Sequence, residues 1–497
     1  MTMTATLERI PSADPVLASQ STYDIALIGS GILGSALASS LGRSGRTVLL
    51  LERDLSEPDR IVGELLQPGG VYALEQLGMG ECLDGLGEEG RVECEGYRVF
   101  WGDKEVGIPY PEEEVVKGWR REASSSASKA VQQKEKKEGK EEGQEEKKQL
   151  GASFHHGRFI QSLRRHASTA KNVTLVEATV NSLLSSSSAE SIITGVRATP
   201  RGRSDSTPLE YKATLTIVAD GCLSKFRREL VPDHVKASTR SHFVGLVLED
   251  ADLPAPKHGH VILRQPLSSS SPAPAPTPAP SSESEDKDAP TLGPVLVYQL
   301  SPSLPPSPAH PQGYPSETRM LLDIRGPRLP PSQTLPSFLL THASPILPPS
   351  ILPSFQKAIE KAEKSLKGEE DKKYRLRSMP NSWLPAHPQG RDVQGALLAG
   401  DALNMRHPLT GGGMTVAFSD AVILTSLLGG DETDQVGEIE KDQRGKVQLE
   451  SWLEVGERLE EWHWRRKGVA SCVNVLSLAL YSLFGAEGTL RGFFSCP

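Results

Sequence analysis

Three widely separated stretches carry residue types suited to contact with a nucleotide. Gly29-Ser-Gly31-Ile-Leu-Gly34 has the GxGxxG spacing, and Glu52 stands eighteen residues beyond its last glycine. Glycines so spaced allow a tight turn, close approach of backbone N–H groups to a pyrophosphate and close helix–strand packing, while the acid is placed for ribose hydroxyls. Asp220-Gly221 closes a second apolar run, Leu215–Ala219. An acid and a glycine at a strand's carboxyl end meet ligands in open α/β sheets, and the same pair alone is equally an ordinary turn. The third stretch, GDALNMRHPLTGGGMTVAFSDA at 400–421, sets Asp401 after the run Gly395–Ala399 and places glycines at 411, 412 and 413 before an apolar helical pattern. Glycines that open a helix present N–H groups and a partial positive charge. Asp401 is suited to accept a hydrogen bond from a ribityl hydroxyl, with the glycine turn against a flavin edge or a phosphate.

The elements that must position these residues can be read around them. Tyr23–Ile28 is patterned as a buried parallel strand that runs straight into the first glycines, and Ala36, Leu37, Ala38 and Leu41 mark the apolar side of the helix that follows. Thr47–Leu51 is a second strand, ending at Glu52. Together they form the βαβ opening of a dinucleotide fold. Arg60 lies in the next stretch, 57–70; it reads either as a contact to a phosphate or isoalloxazine ring, or as a surface ion-pair partner. Tyr97–Trp101 and Val106–Tyr110 alternate like strands of a separate sheet walling a substrate pocket. A helix is expected over Phe154–Arg164, with Phe159, Ile160 and Leu163 inward, then strands at Val173–Val176 and Ile192–Val196. After Asp220-Gly221 a helix is expected at once, carrying Lys225, Arg227 and Arg228. Further strands are expected at Ser241–Leu248, Gly293–Leu300 and Thr318–Ile324, separated by proline-dense stretches at 266–290, 301–316 and 327–353 that read as loops or linkers without a packed core.

Composition narrows the function class. The 497 residues leave room for two or three domains. A net charge of −8 and a pI near 5.9, with no basic stripe interleaved with aromatics, give no reason to expect nucleic acid. The five cysteines are scattered without a CxxC pair, which fits a reducing compartment and argues against a disulfide framework or a metal site. The first 22 residues lack the basic-then-apolar order of a secretory signal and read as a disordered lead. Residues 121–150, rich in Ser, Lys, Glu and Gln, read as a solvated insertion. Near the carboxyl end, the aromatic and basic Trp462-His-Trp464-Arg-Arg-Lys467 precedes nineteen uncharged residues, Gly468–Ala486. Ser471, Asn474, Ser477 and Ser482 dilute that stretch, so an interfacial helix fits better than a span, the competing reading being a helix packed on the protein's own core.

With these stretches assembled, the chain resembles the squalene epoxidases (squalene monooxygenases) of the FAD-dependent flavoprotein monooxygenase superfamily. The resemblance rests on GSGILGSALASSLGRSGR from residue 29, LLERDLSEPDRIVGELLQPGG ending at residue 70 and FHHGRFIQSLR at 154–164. It continues through VADGCLSKFRREL at 218–230, SHFVGLVLED at 241–250, ETRMLLDIRG at 317–326, LRSMPNSWLP at 376–385 and GDALNMRHPLTGGGMTVAFSD at 400–420. It covers roughly residues 23–486, and the long NMRHPLTGGGM element sets the family apart from aromatic-ring hydroxylases.

The resemblance implies an α/β fold. A Rossmann-like, glutathione-reductase-like FAD-binding domain (23–90, 151–235 and 386–430) is interleaved with a β-sheet substrate domain (91–120 and 236–385). The lead 1–22, the insertion 121–150 and a C-terminal helical, membrane-associated region (431–497) complete the chain. It implies FAD as cofactor. Gly29, Gly31, Ile32, Leu33 and Gly34 would form the pyrophosphate turn, and Glu52 with Arg53 would flank the adenosine ribose. Arg60, Arg164 and the backbone at Val180 would line the site, joined by Asp220. Asp401 would hold the ribityl–pyrophosphate region, and Met414 the turn near the ring. Leu65 stands where relatives often carry an aromatic residue. Tyr97 and Gln67 match the pair that the family places at the active-site end of the substrate pocket. Relatives usually continue past Arg491–Cys496 into further hydrophobic helices.

The function implied is epoxidation of squalene by O₂ to (S)-2,3-epoxysqualene in sterol biosynthesis, through a flavin hydroperoxide. An unactivated alkene offers no proton to remove, so no catalytic side chain and no metal is expected, and His155, His156 and His407 read as structural. Only one full GxGxxG is present, so no second dinucleotide domain is expected; the resemblance implies electrons from NADPH through NADPH–cytochrome P450 reductase. The implied location is the cytosolic face of the endoplasmic reticulum membrane, with lipid droplets as a further site. The alternatives are a flavin monooxygenase for another isoprenoid, a non-catalytic flavin- or lipid-binding regulator, and a soluble dehydrogenase that would oxidise NADPH directly.

Overall fold

The strand Thr22–Ile28 explains the placement of everything that follows. Ile25, Ala26 and Leu27 are fully buried, as a continuous apolar run requires when both faces of a parallel sheet are covered. It pairs in parallel with Val48–Glu52 on one edge and Leu209–Val218 on the other. Val173–Ser185 extends the sheet beyond Val48–Glu52, and Ala396–Leu398 extends it beyond Leu209–Val218, both in parallel. Ile193–Pro200 runs antiparallel to both Val173–Ser185 and Leu209–Val218. The register aligns Ile28 with Val218 and Val218 with Leu398. The three stretches singled out from sequence therefore leave the sheet side by side, at the carboxyl ends of three adjacent strands.

The computed structural model describes residues 9–112, 150–186, 192–202, 207–264, 289–306, 313–371, 374–432, 439 and 444–484. The insertion expected at 121–150 lies outside the described residues apart from its last residue, as do most of 266–290 and the Arg491–Cys496 stretch.

A seven-stranded sheet forms the second layer, ordered Arg377–Trp383, Ser238–Glu249, Glu317–Arg325, Thr291–Ser301, His258–Leu263, Gly96–Trp101 and Lys104–Pro109. Alternation along its strands divides its side chains between two cores. Val244, Leu246, Val295, Val297, Met320 and Leu322 pack against the helices Leu335–Ala343 and Leu352–Lys367. Phe243, Leu296, Tyr298 and Leu321 face the other way, toward Ile61 and Leu409. A small sheet of Leu65–Leu66, Gly151–Phe154 and Arg91–Cys94 joins the two layers.

Three expectations need correction. The proline-dense 327–353 is not a linker without a core: it includes the helix Leu335–Ala343 and the start of Leu352–Lys367, with Leu335, Leu339, Leu347 and Ile351 buried. Pro336 and Pro353 sit in first turns, where a missing N–H breaks no helical bond. Residues 9–21 are not disordered. Ile10 is buried, the Ala13 N–H donates to the Leu175 carbonyl, and Asp14 caps the short helix Pro15–Ser19. Nor does a helix begin at once after Asp220-Gly221; a turn intervenes, and the helix is confined to Arg227–Leu230.

Two helices, Trp452–Arg465 and Lys467–Leu483, complete the described fold. No helix among the described residues is long and apolar enough to cross a membrane. Polar contacts hold one side of Lys467–Leu483 to the body: Asn474 with Arg406 and Asn404, Ser477 with the His407 carbonyl, and Tyr481 with Arg325. Just before it, Arg466 forms a buried bidentate pair with Asp420 at 2.8–2.9 Å. The opposite side exposes Val469, Val475 and Leu476. The sequence left an interfacial helix and a core-packed helix as alternatives, and the chain builds a helix that packs on one face and leaves an apolar face uncovered.

Candidate functional site

The three glycines of the first turn have distinct surroundings. Gly29 has φ +99°, and a Cβ there would sit 2.7 Å from the Ala219 carbonyl oxygen. A Cβ on Gly34 would lie 1.8 Å from the Gly29 oxygen, so only glycine lets the helix Ile32–Arg43 come this close. Gly31 caps that helix and has open space around it. The fold thus fills two of the three glycine positions with its own backbone and leaves the third facing a void. Glu52 accepts from the Ser30 N–H at 2.8 Å and the Ser30 hydroxyl at 3.1 Å. Arg164 is buried, donating to the Ser30 carbonyl at 3.1 Å and the Ser56 carbonyl at 3.0 Å, with Glu52 at 3.4 Å.

The void beside Gly31 is a cavity with an empty volume of ≈ 1510 Å³ including its mouth. One end is lined by Gly31, Ile32, Leu33, Arg60, Asp401 and Met414, all named from sequence. Leu65 and Tyr97 line it too, and the Gln67 amide nitrogen lies 2.5 Å from the Tyr97 hydroxyl. Asp401 is exposed to the cavity, while its carbonyl accepts from Arg227 at 3.2 Å. The Oδ1 of Asp220 is buried with no hydrogen-bond partner among the described residues, and burial raises that carboxyl above its ordinary value. Arg53 is exposed beside Glu52. Val180 is not part of the cavity wall; its carbonyl accepts from Lys225 at 2.5 Å. The open glycine at a helix start and the Asp401 exposed to the cavity fit FAD, whose pyrophosphate would lie at Gly31–Leu33 and whose ribityl chain would lie by Asp401 and Met414. Glu52 and Asp220 do not line the cavity, and both Glu52 oxygens are engaged by Ser30, Asp54 and Arg164.

The other end of the cavity is apolar, with Val62, Leu296, Leu321, Met379, Met405 and Leu409. Among its polar groups, Arg406 is held by Asn404 and Asn474. Glu64 is buried and takes both Arg319 nitrogens, at 2.7 and 2.8 Å, plus the Tyr298 hydroxyl at 3.2 Å. Burial opposes the Arg319 charge, but the Glu64 carboxylate outweighs it and the guanidinium pKa is raised. The His156 ring is 2.8 Å from the Gly63 carbonyl, and that of His260 is 3.3 Å from the Val297 carbonyl. Burial lowers each to about 4, reinforced by Arg60 and Arg164 at His156 and by His258 and Arg98 at His260. Both are therefore neutral at physiological pH.

These shifts predict acid sensitivity. A histidine whose folded pKa lies below its unfolded one contributes stability above pH ~6.5, and loses it as pH falls toward about 4. Each group corresponds to about 3 kcal/mol over that window. The melting temperature is expected to drop between pH 6.5 and 4, and His260→Gln is expected to flatten the drop; an unchanged profile would show that His260 is not buried neutral.

With this geometry in place, a family model of squalene epoxidase matches residues 212–271 and 291–491. The squalene epoxidase of Schizosaccharomyces pombe is 37% identical over 461 residues, 93% of this chain and 78% of that protein. Squalene epoxidase 3 of Arabidopsis thaliana is 36% identical over 93% of this chain and 68% of its own length. The chain belongs to the squalene epoxidase family. Among solved structures, a probable FAD-dependent monooxygenase from Pseudomonas aeruginosa superposes with a TM-score of 0.58 over 96% of this chain and all of its own, at 15% identity. The FAD-complexed HpxO variant of Klebsiella pneumoniae gives 0.54, over 95% of this chain and 92% of its own, at 14% identity. At such identities these two report the fold alone.

For this member of the squalene epoxidase family, sequence reading missed Glu64, Arg319, Tyr298, Tyr110, His156 and Cys222 as neighbours of the site. One signal was available. Arg319 and Asp323 are charges four residues apart that flank the apolar run Met320–Leu322, hence on one face of the sheet, and buried charges demand partners. Their partners lie elsewhere in the chain, Glu64 being 255 residues away from Arg319.

Proposed function

We propose that this protein is a squalene monooxygenase: one atom of O₂ is added across a terminal double bond of squalene to give (S)-2,3-epoxysqualene, and the other leaves as water. Bound FAD, once reduced, supplies the oxygen-activating chemistry. The observation that carries this reading is that one cavity joins the nucleotide end (Gly31, Asp401, Met414) to an apolar end walled by the second sheet. The chain's own work is to bind, orient and exclude water. An alkene offers no acidic proton, and the groups here need take none: Glu64 is tied to Arg319, and burial makes the His156 and His260 rings weak bases. Apolar walls also keep water from the reacting centre.

We further propose that electrons come from NADPH through NADPH–cytochrome P450 reductase, and that the protein works on the cytosolic face of the endoplasmic reticulum membrane. The exposed face of Lys467–Leu483 supports the second point, with Val475 66% and Leu476 53% exposed and Trp464 beneath the Lys467 ammonium at its start. A helix of this kind lies in the interface, and a water-insoluble substrate then enters without crossing solvent. Replacing Val475 and Leu476 by Asp is expected to reduce binding to phosphatidylcholine/phosphatidylserine vesicles at least about tenfold in a flotation assay. Binding equal to that of the unaltered protein would remove this face from the argument.

The test of the reaction is turnover by purified protein with FAD, the reductase, NADPH and squalene in detergent, read by product mass. Formation of the monoepoxide is expected. Bound flavin without epoxide would favour the regulator, and NADPH oxidation without the reductase would favour a dehydrogenase.

A further inference from the structure

Arg406 lines the cavity and is only 9% exposed, yet no carboxylate among the described residues lies within 4.0 Å of its guanidinium. Neutral partners hold it instead. Its Nε donates to the Asn474 Oδ1 at 2.7 Å, and its Nη2 donates to the Asn404 carbonyl at 3.2 Å and the Asn404 Oδ1 at 2.6 Å. An arginine can only donate, so the amide oxygen of Asn474 must face it, and the Asn474 nitrogen then donates to the Asn404 Oδ1 at 3.2 Å. The remaining nitrogen, Nη1, makes no hydrogen bond among the described residues. It lies beside the first residue of the helix Gly413–Leu428: a Cβ on Gly413 would stand 4.0 Å from it. No side chain caps that helix, and its first turn carries no acid. Two positive poles thus meet at one wall of the cavity. Burial lowers the Arg406 pKa; Asp401 and Asp420 oppose this from a distance, but Asp420 is already tied to Arg466. A buried cation beside a helix N-terminus calls for an anion.

We infer that Arg406 is the fixed countercharge for the negative charge that bound FAD acquires on reduction, and that Asn474 is the positioning residue that holds it in place. This rests on the functional reading above, which puts FAD in this cavity. Two electrons and one proton added to the flavin ring leave it one negative charge richer than the oxidised ring. The pyrophosphate is charged in both states, and the segment assigned to it is Gly31–Leu33. A cation that serves the ring therefore favours reduced over oxidised FAD, whereas one that serves the pyrophosphate favours both alike. Asn474 stands on the helix Lys467–Leu483, whose other face exposes Val475 and Leu476. The helix proposed to lie on the membrane thus also orients a charge that bears on cofactor reduction.

The test compares the affinity of the protein for oxidised FAD and for dithionite-reduced FAD, with the ratio of the two read independently as the two-electron midpoint potential against a reference dye. Arg406→Gln is expected to weaken binding of reduced FAD at least about tenfold more than that of oxidised FAD, a midpoint lower by about 30 mV for each tenfold. Arg406→Lys keeps the charge and is expected to hold the ratio within about threefold of the unaltered protein. Asn474→Leu keeps the guanidinium but frees it, and is expected to move the ratio about threefold in the direction of Arg406→Gln. Should Arg406→Gln fail to hold FAD, Asn474→Leu carries the test. Equal weakening of both oxidation states would make Arg406 a pyrophosphate contact. An unchanged ratio would make it a structural residue, and a shift in Arg406→Lys as large as in Arg406→Gln would trace the effect to packing. Each of these overturns the inference while leaving the functional reading intact. Failure of the unaltered protein to bind FAD in either state overturns the functional reading and the inference with it.

Discussion

Gly31→Val is expected to yield a folded protein almost devoid of flavin. The position has φ −77° and ψ −163°, which any residue adopts, and no atom lies within 4 Å of where a Cβ would stand, so the apoprotein's stability is expected to stay within about 0.5 kcal/mol of the unaltered one. The added methyls would occupy the space through which a pyrophosphate reaches the helix N-terminus, and flavin affinity is expected to fall at least about a hundredfold. Gly34→Ala makes the contrast. Its Cβ would lie 1.8 Å from the Gly29 oxygen, a backbone atom that cannot swing aside, so here the apoprotein itself is expected to lose roughly 3 kcal/mol or more. Urea denaturation of the apoproteins and visible absorbance after reconstitution separate the two effects. Normal flavin content in Gly31→Val would show that the pyrophosphate does not cross this turn.

The second large effect is expected from Arg319→Met. It removes both nitrogens that hold Glu64, whose side chain is 1% exposed, and leaves a buried carboxylate with only the Tyr298 hydroxyl. Breaking a buried ion pair from one side costs about 3–5 kcal/mol, whereas replacing both partners by apolar groups of similar size is often close to neutral. The double variant Glu64→Leu/Arg319→Met is therefore expected to recover most of the stability lost in the single one. Glu64 precedes Leu65–Leu66, so the pair also ties the cavity-lining segment from Arg60 to Leu65 to the second sheet. Flavin retention is expected to fall in the single variant alongside stability. A single variant as stable as the unaltered protein, or a double variant no better than the single, would show that burial of the Glu64 charge does not govern this region.

Much of the nucleotide end was legible because its geometry is local. Gly29, Gly31 and Gly34 announce a strand–turn–helix within six residues, and the alternation or continuity of apolar residues marks each flanking strand. The misreading of 327–353 has an equally local cause. Proline density signals linkers, yet prolines at helix first turns are compatible with Leu335–Ala343 and Leu352–Lys367, and burial of Leu339 and Phe355 decides the matter. Residues 9–21 misled because their order comes from docking Ile10 and Ala13 against the body, not from any strong pattern of their own.

The sequence by itself determined the dinucleotide opening and the family, since these depend on residue types at short, fixed spacings. Only the tertiary structure decided that Gly31, Asp401 and Met414 share one cavity, that Glu64 is spent on Arg319, and that Gln67 meets both Tyr97 and Tyr110. The physical reason is range. Backbone turns and apolar periodicity are fixed by neighbours in the chain, whereas a buried charge or hydrogen-bond donor takes its meaning from whichever distant strand folding sets opposite it.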